Sequence, residues 1–124
     1  MNAILYLALF ASSPAPSSDR VEGPIDLASL EVHRARSMAG CRGRFVVWRS
    51  SLVDEHDGQK HFDAWHKRDV HCFIRMAKGE DVPEDGRLII EGIIWVWDVP
   101  SYTINGKRIE GWTMIRVENS RSRR

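Results

Sequence analysis

The sequence predicts a mainly β domain, a small, partly open barrel of five strands preceded by a short helix. Three observations predict it. Residues 87–119, RLIIEGIIWVWDVPSYTINGKRIEGWTMIRVEN, hold two apolar runs joined by a connection that contains Asn105-Gly106, a dipeptide that hairpin turns favour because both residues tolerate positive φ. The run GRFVVW alternates, with Phe45 and Val47 on one side of an extended chain and Val46 and Trp48 on the other. Asp57-Gly58 marks a second tight turn.

In chain order, residues 1–18 carry no charged side chain, and an apolar block over 3–11 precedes SSPAPSS. This has the look of a secretory signal peptide and linker without a basic n-region, and it is too short for an ordinary membrane-spanning helix. Export to a secreted or periplasmic location and retention in the cytoplasm both stay open. Residues 19–41 form an N-terminal extension: Asp26 can cap a helix in which Leu27, Leu30, Arg34 and Met38 recur at helical spacing up to Gly40. The alternation in SLEVHR supports a strand there instead.

The barrel domain is expected over 42–119, with strands at about 42–53, 60–66, 70–76, 87–98 and 108–118. Pro83 keeps the acidic loop KGEDVPEDG out of a regular strand. In the fourth strand Ile93, Trp95, Trp97 and Val99 share one side, and Ile90, Ile94 and Val96 the other. Both sides are apolar, which predicts a central strand, and Trp95 and Trp97 are expected to pack in the core. In the fifth, Thr113, Ile115 and Val117 alternate with Trp112, Met114, Arg116 and Glu118, so one face meets solvent. Gly43 and Gly92 can relax the bending that long barrel strands require. Residues 120–124 are a polar, basic tail expected to fray.

The order of an extended GRFVVW strand, a hairpin, the short VHCFIRM strand, GRLIIEGIIWVWD and a final WTMIRVEN strand resembles an OB-fold. Among OB-folds it is most similar to small bacterial domains grouped with the tRNA-anticodon-binding family, many without an assigned function. The resemblance covers about 42–119 and implies a five-stranded, partly open barrel able to bind nucleic acid, oligosaccharide or protein, or to serve structure alone. The connection DVPSYTINGKRIEG is longer than the simplest form and has room for an additional hairpin.

Eighteen Lys and Arg against seventeen Asp and Glu give a formal charge of +1, so the chain as a whole is not built for polyanions. Cys41 and Cys72 lack the spacing of a redox pair or a cysteine-built zinc site, which leaves one disulfide or two buried thiols. His61, His66 and His71 recur at intervals of five, but alternation does not force them to converge, and no metal or other cofactor is expected. The DEHDG turn lacks the calcium-loop progression. No GxSxG, P-loop, HExxH or glycine-rich dinucleotide loop occurs, so the sequence points away from an enzyme.

Five tryptophans are many for this length, and they suit stacking as well as packing. Trp65, Tyr102 and Trp112 are the surface candidates, with Arg44, Lys67, Arg68, Lys107 and Arg108 as the basic residues interleaved with them. The leading expectation is a noncatalytic OB-like module that mediates protein interaction or supports a larger assembly, its protein partner unidentified. The alternative is a module for single-stranded nucleic acid, followed by an oligosaccharide or small-ligand binder. No integral membrane interaction is expected.

Overall fold

A computed structural model describes residues 20–123. The expected signal segment lies outside the described residues. The elements are β1 (Ile25–Asp26), a 3-10 turn (Leu27–Ser29), α1 (Val32–Ser37), β2 (Arg42–Trp48), β3 (Asp54–His56), β4 (Gln59–Ala64), β5 (His71–Met76), β6 (Arg87–Val99), β7 (Tyr102–Ile104), β8 (Lys107–Ile109) and β9 (Trp112–Arg123). No helix among them is long and apolar enough to cross a membrane.

The protein is mainly β, but the expected five-stranded OB-like barrel is corrected. Among the described residues nine strands form a seven-stranded mixed sheet in the order β1-β2-β6-β9-β5-β4-β3 and a separate two-stranded sheet, β7-β8; neither is closed into a barrel. The reason lies in β2. Read as running to Val53, it leaves the ladder at Trp48, and it meets β4 only through the isolated Arg49–Ala64 bridge and a few flanking backbone hydrogen bonds, including Ser50 N–H to the Asp63 carbonyl at 2.9 Å. The Asp57-Gly58 turn, at φ +53° and +77°, instead pairs β4 with the short β3. Two short edge strands therefore end the sheet. Asn105-Gly106, at φ +50° and +75°, closes the β7–β8 hairpin within the β6–β9 connection.

One core fills the concave side. Alternation delivers Phe45 and Val47 from β2, Phe62 from β4, Cys72 and Ile74 from β5, Ile90 and Ile94 from β6, and Ile115 and Val117 from β9, all essentially without solvent exposure. The N-terminal segment covers it with Leu27, Leu30 and Ala35. The single helix expected from Asp26 is divided. Asp26 does cap, its carboxylate accepting from Ala28 N–H at 3.2 Å, but Leu30 and Glu31 are extended. That break buries the Leu30 side chain and presents its carbonyl to His66 Nε2 at 2.8 Å.

Arg36 fastens α1 to the sheet, its two terminal nitrogens each donating to Asp98 at 2.7 Å, while Thr113 Oγ1 donates to the same carboxylate at 2.8 Å. Arg36, then Thr113, hold the Asp98 carboxyl down at about 2. A depressed folded value means that this stabilisation is present above the ordinary carboxyl range and is lost as pH falls from about 3.8 towards 2. Asp98→Asn is expected to flatten acid denaturation in that window, read as the pH dependence of the urea midpoint.

The β9 strand corrects the expectation of a frayed tail, running on to Arg123 with Ser120 fully buried. Asn119, at φ +52°, forms a bulge: Glu91 faces Arg121 and Ile93 faces Glu118, so β9 spends one residue more than β6. Gly92 sits opposite, where any side chain would collide with Val117 and Ser120.

Cys41 and Cys72 are not joined by a disulfide. Burial in the core pushes the Cys72 thiol up to about 12, with a smaller contribution from Asp63. Its raised value keeps the folded thiol protonated, so stability is intact below an unfolded value near 9 and declines above it. Between pH 9 and 12 the wild type should lose stability more steeply than Cys72→Ala, by up to about 1.4 kcal/mol per pH unit, in urea titrations.

Candidate functional site

The convex face of the large sheet gathers what the core excludes. The β6 side chains Ile93, Trp95 and Trp97 point outward, the opposite of the core packing expected for the two tryptophans, which are 42% and 52% exposed. Beside them on β9 stand Trp112, Met114, Arg116 and Glu118, and next on β5 His71, Phe73 and Arg75. Cross-strand register forms rows: Trp97, Met114, His71 in one, and Trp95, Arg116, Phe73, Asp63 in the next.

Arg116 is the centre. Its guanidinium lies 4.3 Å from the Trp97 ring centroid and 4.8 Å from that of Phe73, so one cation is held between two aromatic faces. Nη2 donates to Glu118 at 3.4 Å, while Nε is buried and makes no hydrogen bond among the described residues. The attraction of the ring faces offsets that desolvation. Arg75 stacks over the other reach of Phe73 at 5.4 Å and pairs with Glu118 at 3.3 Å. The outcome is a patch in which aromatic rings and cations alternate.

Along the same face a second cluster surrounds Glu91. Arg44 Nε lies 3.2 Å, Arg123 Nη2 3.5 Å and Arg42 Nη1 4.0 Å from its carboxylate, which is only 10% exposed. Burial pushes the Glu91 carboxyl up, but the Arg44 hydrogen bond and the charges of Arg123, Arg20 and Arg44 outweigh it and hold the group below its ordinary value. Further along, Arg87 stacks on Trp48 at 5.9 Å. Acidic residues cluster elsewhere: Glu80, Asp81, Glu84 and Asp85 follow β5, and Lys60 pairs with Asp81.

The residues singled out from sequence are dispersed over three places. Tyr102 and Trp112 meet at the base of the β7–β8 hairpin, ring centroids 6.5 Å apart, with Lys107 and Arg108 on β8; Arg108 is engaged by Glu110 at 3.2 Å. Trp112 shares the β9 register of Arg116 and so belongs to the convex face. Trp65 is 51% exposed beside the loop of Lys67 and Arg68, whose backbone N–H groups are fixed by the Ala28 carbonyl and His66 Nδ1. Arg44 belongs to the Glu91 cluster. Phe73, Trp95, Trp97 and Arg116, which the structure brings together, were not among the basic and surface candidates. The signal for them was present in β9, whose polar register is the one that pairs with Trp95.

The three histidines diverge: His61 stacks against Phe73 at 5.3 Å, His66 is buried on Leu30, and His71 faces Asp63 at 3.1 Å. Among the described residues no group of three or more His, Cys, Asp or Glu is placed to hold a metal ion. No family model, curated protein or solved structure matches the chain.

Proposed function

We propose that this protein is a binding module whose convex sheet face receives single-stranded nucleic acid, bases stacking on Trp95 and Trp97. The observation that carries the reading is the Trp97–Arg116–Phe73 stack with Trp95 beside it: two exposed tryptophan rings, one of them stacked on a cation, on a central strand of the sheet. Ring faces attract every base, and interleaved guanidiniums favour an anionic chain. Charge distribution supports the same partner. On the convex face Arg42, Arg44, Arg75, Arg87, Arg116 and Arg123 stand against Glu91, Glu118 and Asp63, although the chain as a whole is nearly neutral.

The protein-partner reading draws on the neighbouring β7–β8 hairpin, where exposed Tyr102 and Ile104, with Tyr102 against Trp112 at the edge of the convex face, offer apolar surface of the kind that anchors protein interfaces. Fluorescence-anisotropy titration with mixed-sequence single-stranded DNA and RNA at low and physiological salt separates the two. Saturable binding that weakens with salt supports the nucleic-acid reading; no binding at low salt removes it and leaves the hairpin as the docking element.

A further inference from the structure

The cluster around Glu91 has a chemistry distinct from the ring stack. Residues 20–23 run beside β2, with Val21 N–H donating to the Arg42 carbonyl at 2.8 Å, and enclose with it a cleft of about 380 Å³. Arg20, Arg42 and Arg44 line this cleft together with Glu22 and Glu91, and Arg123 reaches Glu91 from β9. Each guanidinium offers five N–H donors in a planar fork. Glu91 accepts a hydrogen bond from Arg44 Nε, and one terminal nitrogen each of Arg123 and Arg42 lies 3.5 and 4.0 Å from it, so a single carboxylate gathers three guanidiniums. Four arginines against two carboxylates leave positive charge uncompensated, and forks of this kind match the tetrahedral oxygens of phosphate.

The cleft also lies in line with the aromatic patch. Arg42 pairs with Ile93 and Arg44 with Glu91, on the same side of β6 as Trp95. From Trp95 back to Glu91 an extended chain rises about 13 Å, a span within which successive nucleotides of one strand can place a base on the rings and a phosphate at the arginines. Two other clefts offer less: one beside β4 and β5 carries Asp63 and Asp69, and one beside the 3-10 turn carries Asp26 and Glu31 against Arg34. A third, between the start of β6 and the end of β9, carries Arg87 and Arg123 against Asp85.

Resting on the reading above, we propose that the cleft lined by Arg20, Arg42 and Arg44 around Glu91, with Arg123 reaching Glu91 from β9, is a phosphate subsite for the sugar–phosphate backbone of the bound strand, in which the Glu91 carboxylate competes with phosphate for the guanidiniums.

The test uses the full chain with two probes: oligothymidylate and an abasic single strand of equal length, which keeps the phosphates and lacks the bases. The Arg42→Gln/Arg44→Gln pair is expected to weaken both probes about tenfold and to reduce the salt slope by roughly 1.4, the share of two phosphates on a single strand. Trp97→Ala is expected to weaken oligothymidylate and leave the abasic strand unchanged. Glu91→Gln, which removes a negative charge while keeping the shape, should tighten the abasic strand several-fold and serves as the independent variant should the arginine pair not fold. An unaltered salt slope in the arginine pair, or no change in Glu91→Gln, overturns the phosphate subsite while the Trp97 effect on oligothymidylate leaves the stacking face standing. Failure of the wild type to bind either probe overturns both.

Discussion

Gly92→Ala is expected to destabilise the domain by about 3 kcal/mol, among the larger effects available to a single added methyl group. A Cβ at this position would lie 2.5 Å from Ser120 Oγ, 2.7 Å from Val117 Cγ1 and 2.9 Å from the Glu118 carbonyl oxygen. These neighbours cannot step aside. Val117 is fully buried, and Ser120 is held inside the sheet by the Asn119 bulge, its carbonyl accepting from Ala77 N–H at 2.8 Å. The added carbon must therefore open the β6–β9 pairing where it meets the core. Gly86→Ala, with nothing within 4 Å of its Cβ, is the matched control and should be nearly neutral. Urea denaturation of the two variants decides the matter. Equal midpoints would mean that the bulge relaxes freely and that the close β6–β9 pairing at Gly92 does not anchor the fold.

The second large effect concerns binding. Trp97→Ala is expected to weaken single-stranded oligonucleotide binding about 30-fold, since one base–ring stack contributes roughly 2 kcal/mol. Two things are lost together: a surface 52% exposed for a base, and one of the two ring faces that hold Arg116 in place. Trp97→Phe should restore much of the affinity by replacing a smaller ring on the same strand position. Trp65→Ala, equally exposed but just past the end of β4 and outside the Trp97–Arg116–Phe73 stack, should change binding little. If Trp65→Ala and Trp97→Ala behave alike, the convex face has no special role.

Much of the architecture was legible in the alternation of single strands. The positions of β4, β5 and β6 lie within a residue or two of the runs read from sequence, because each alternates or is bounded by turn residues. Asp57-Gly58 and Asn105-Gly106 turned the chain as their tolerance of positive φ requires. What single-strand patterns do not contain is which side of a doubly apolar strand meets the core. On β6, Ile90, Ile94 and Val96 compete with Ile93, Trp95 and Trp97, and ring size alone favours the tryptophans as core. The neighbours decide it: Arg116 lies directly across from Trp95, and its register is exposed because Ile115 and Val117 fill the interior. A buried tryptophan layer would have forced that guanidinium inside with it.

Barrel closure failed for a comparable reason. Whether β2 continues past Trp48 depends on pairing with β4 over long sequence separation, and residues 50–53 carry no pattern that says the ladder stops. The Glu91 cluster was visible only in part, through Arg44. Its partners come from β2, β6 and the far end of β9, and the bulge at Asn119 sets the register that carries Arg123 beside Glu91. A residue count along the sequence does not anticipate that shift.

The most direct measurement is a two-dimensional NMR titration following the five indole N–H signals while a single-stranded oligonucleotide is added. Each tryptophan reports its own place on the surface. Binding on the convex face should shift Trp95 and Trp97 together and saturably, with Trp65 unmoved. Movement of Trp65 without Trp95 and Trp97, or five stationary signals at saturating oligonucleotide, would contradict the assignment of this face as the nucleic-acid site.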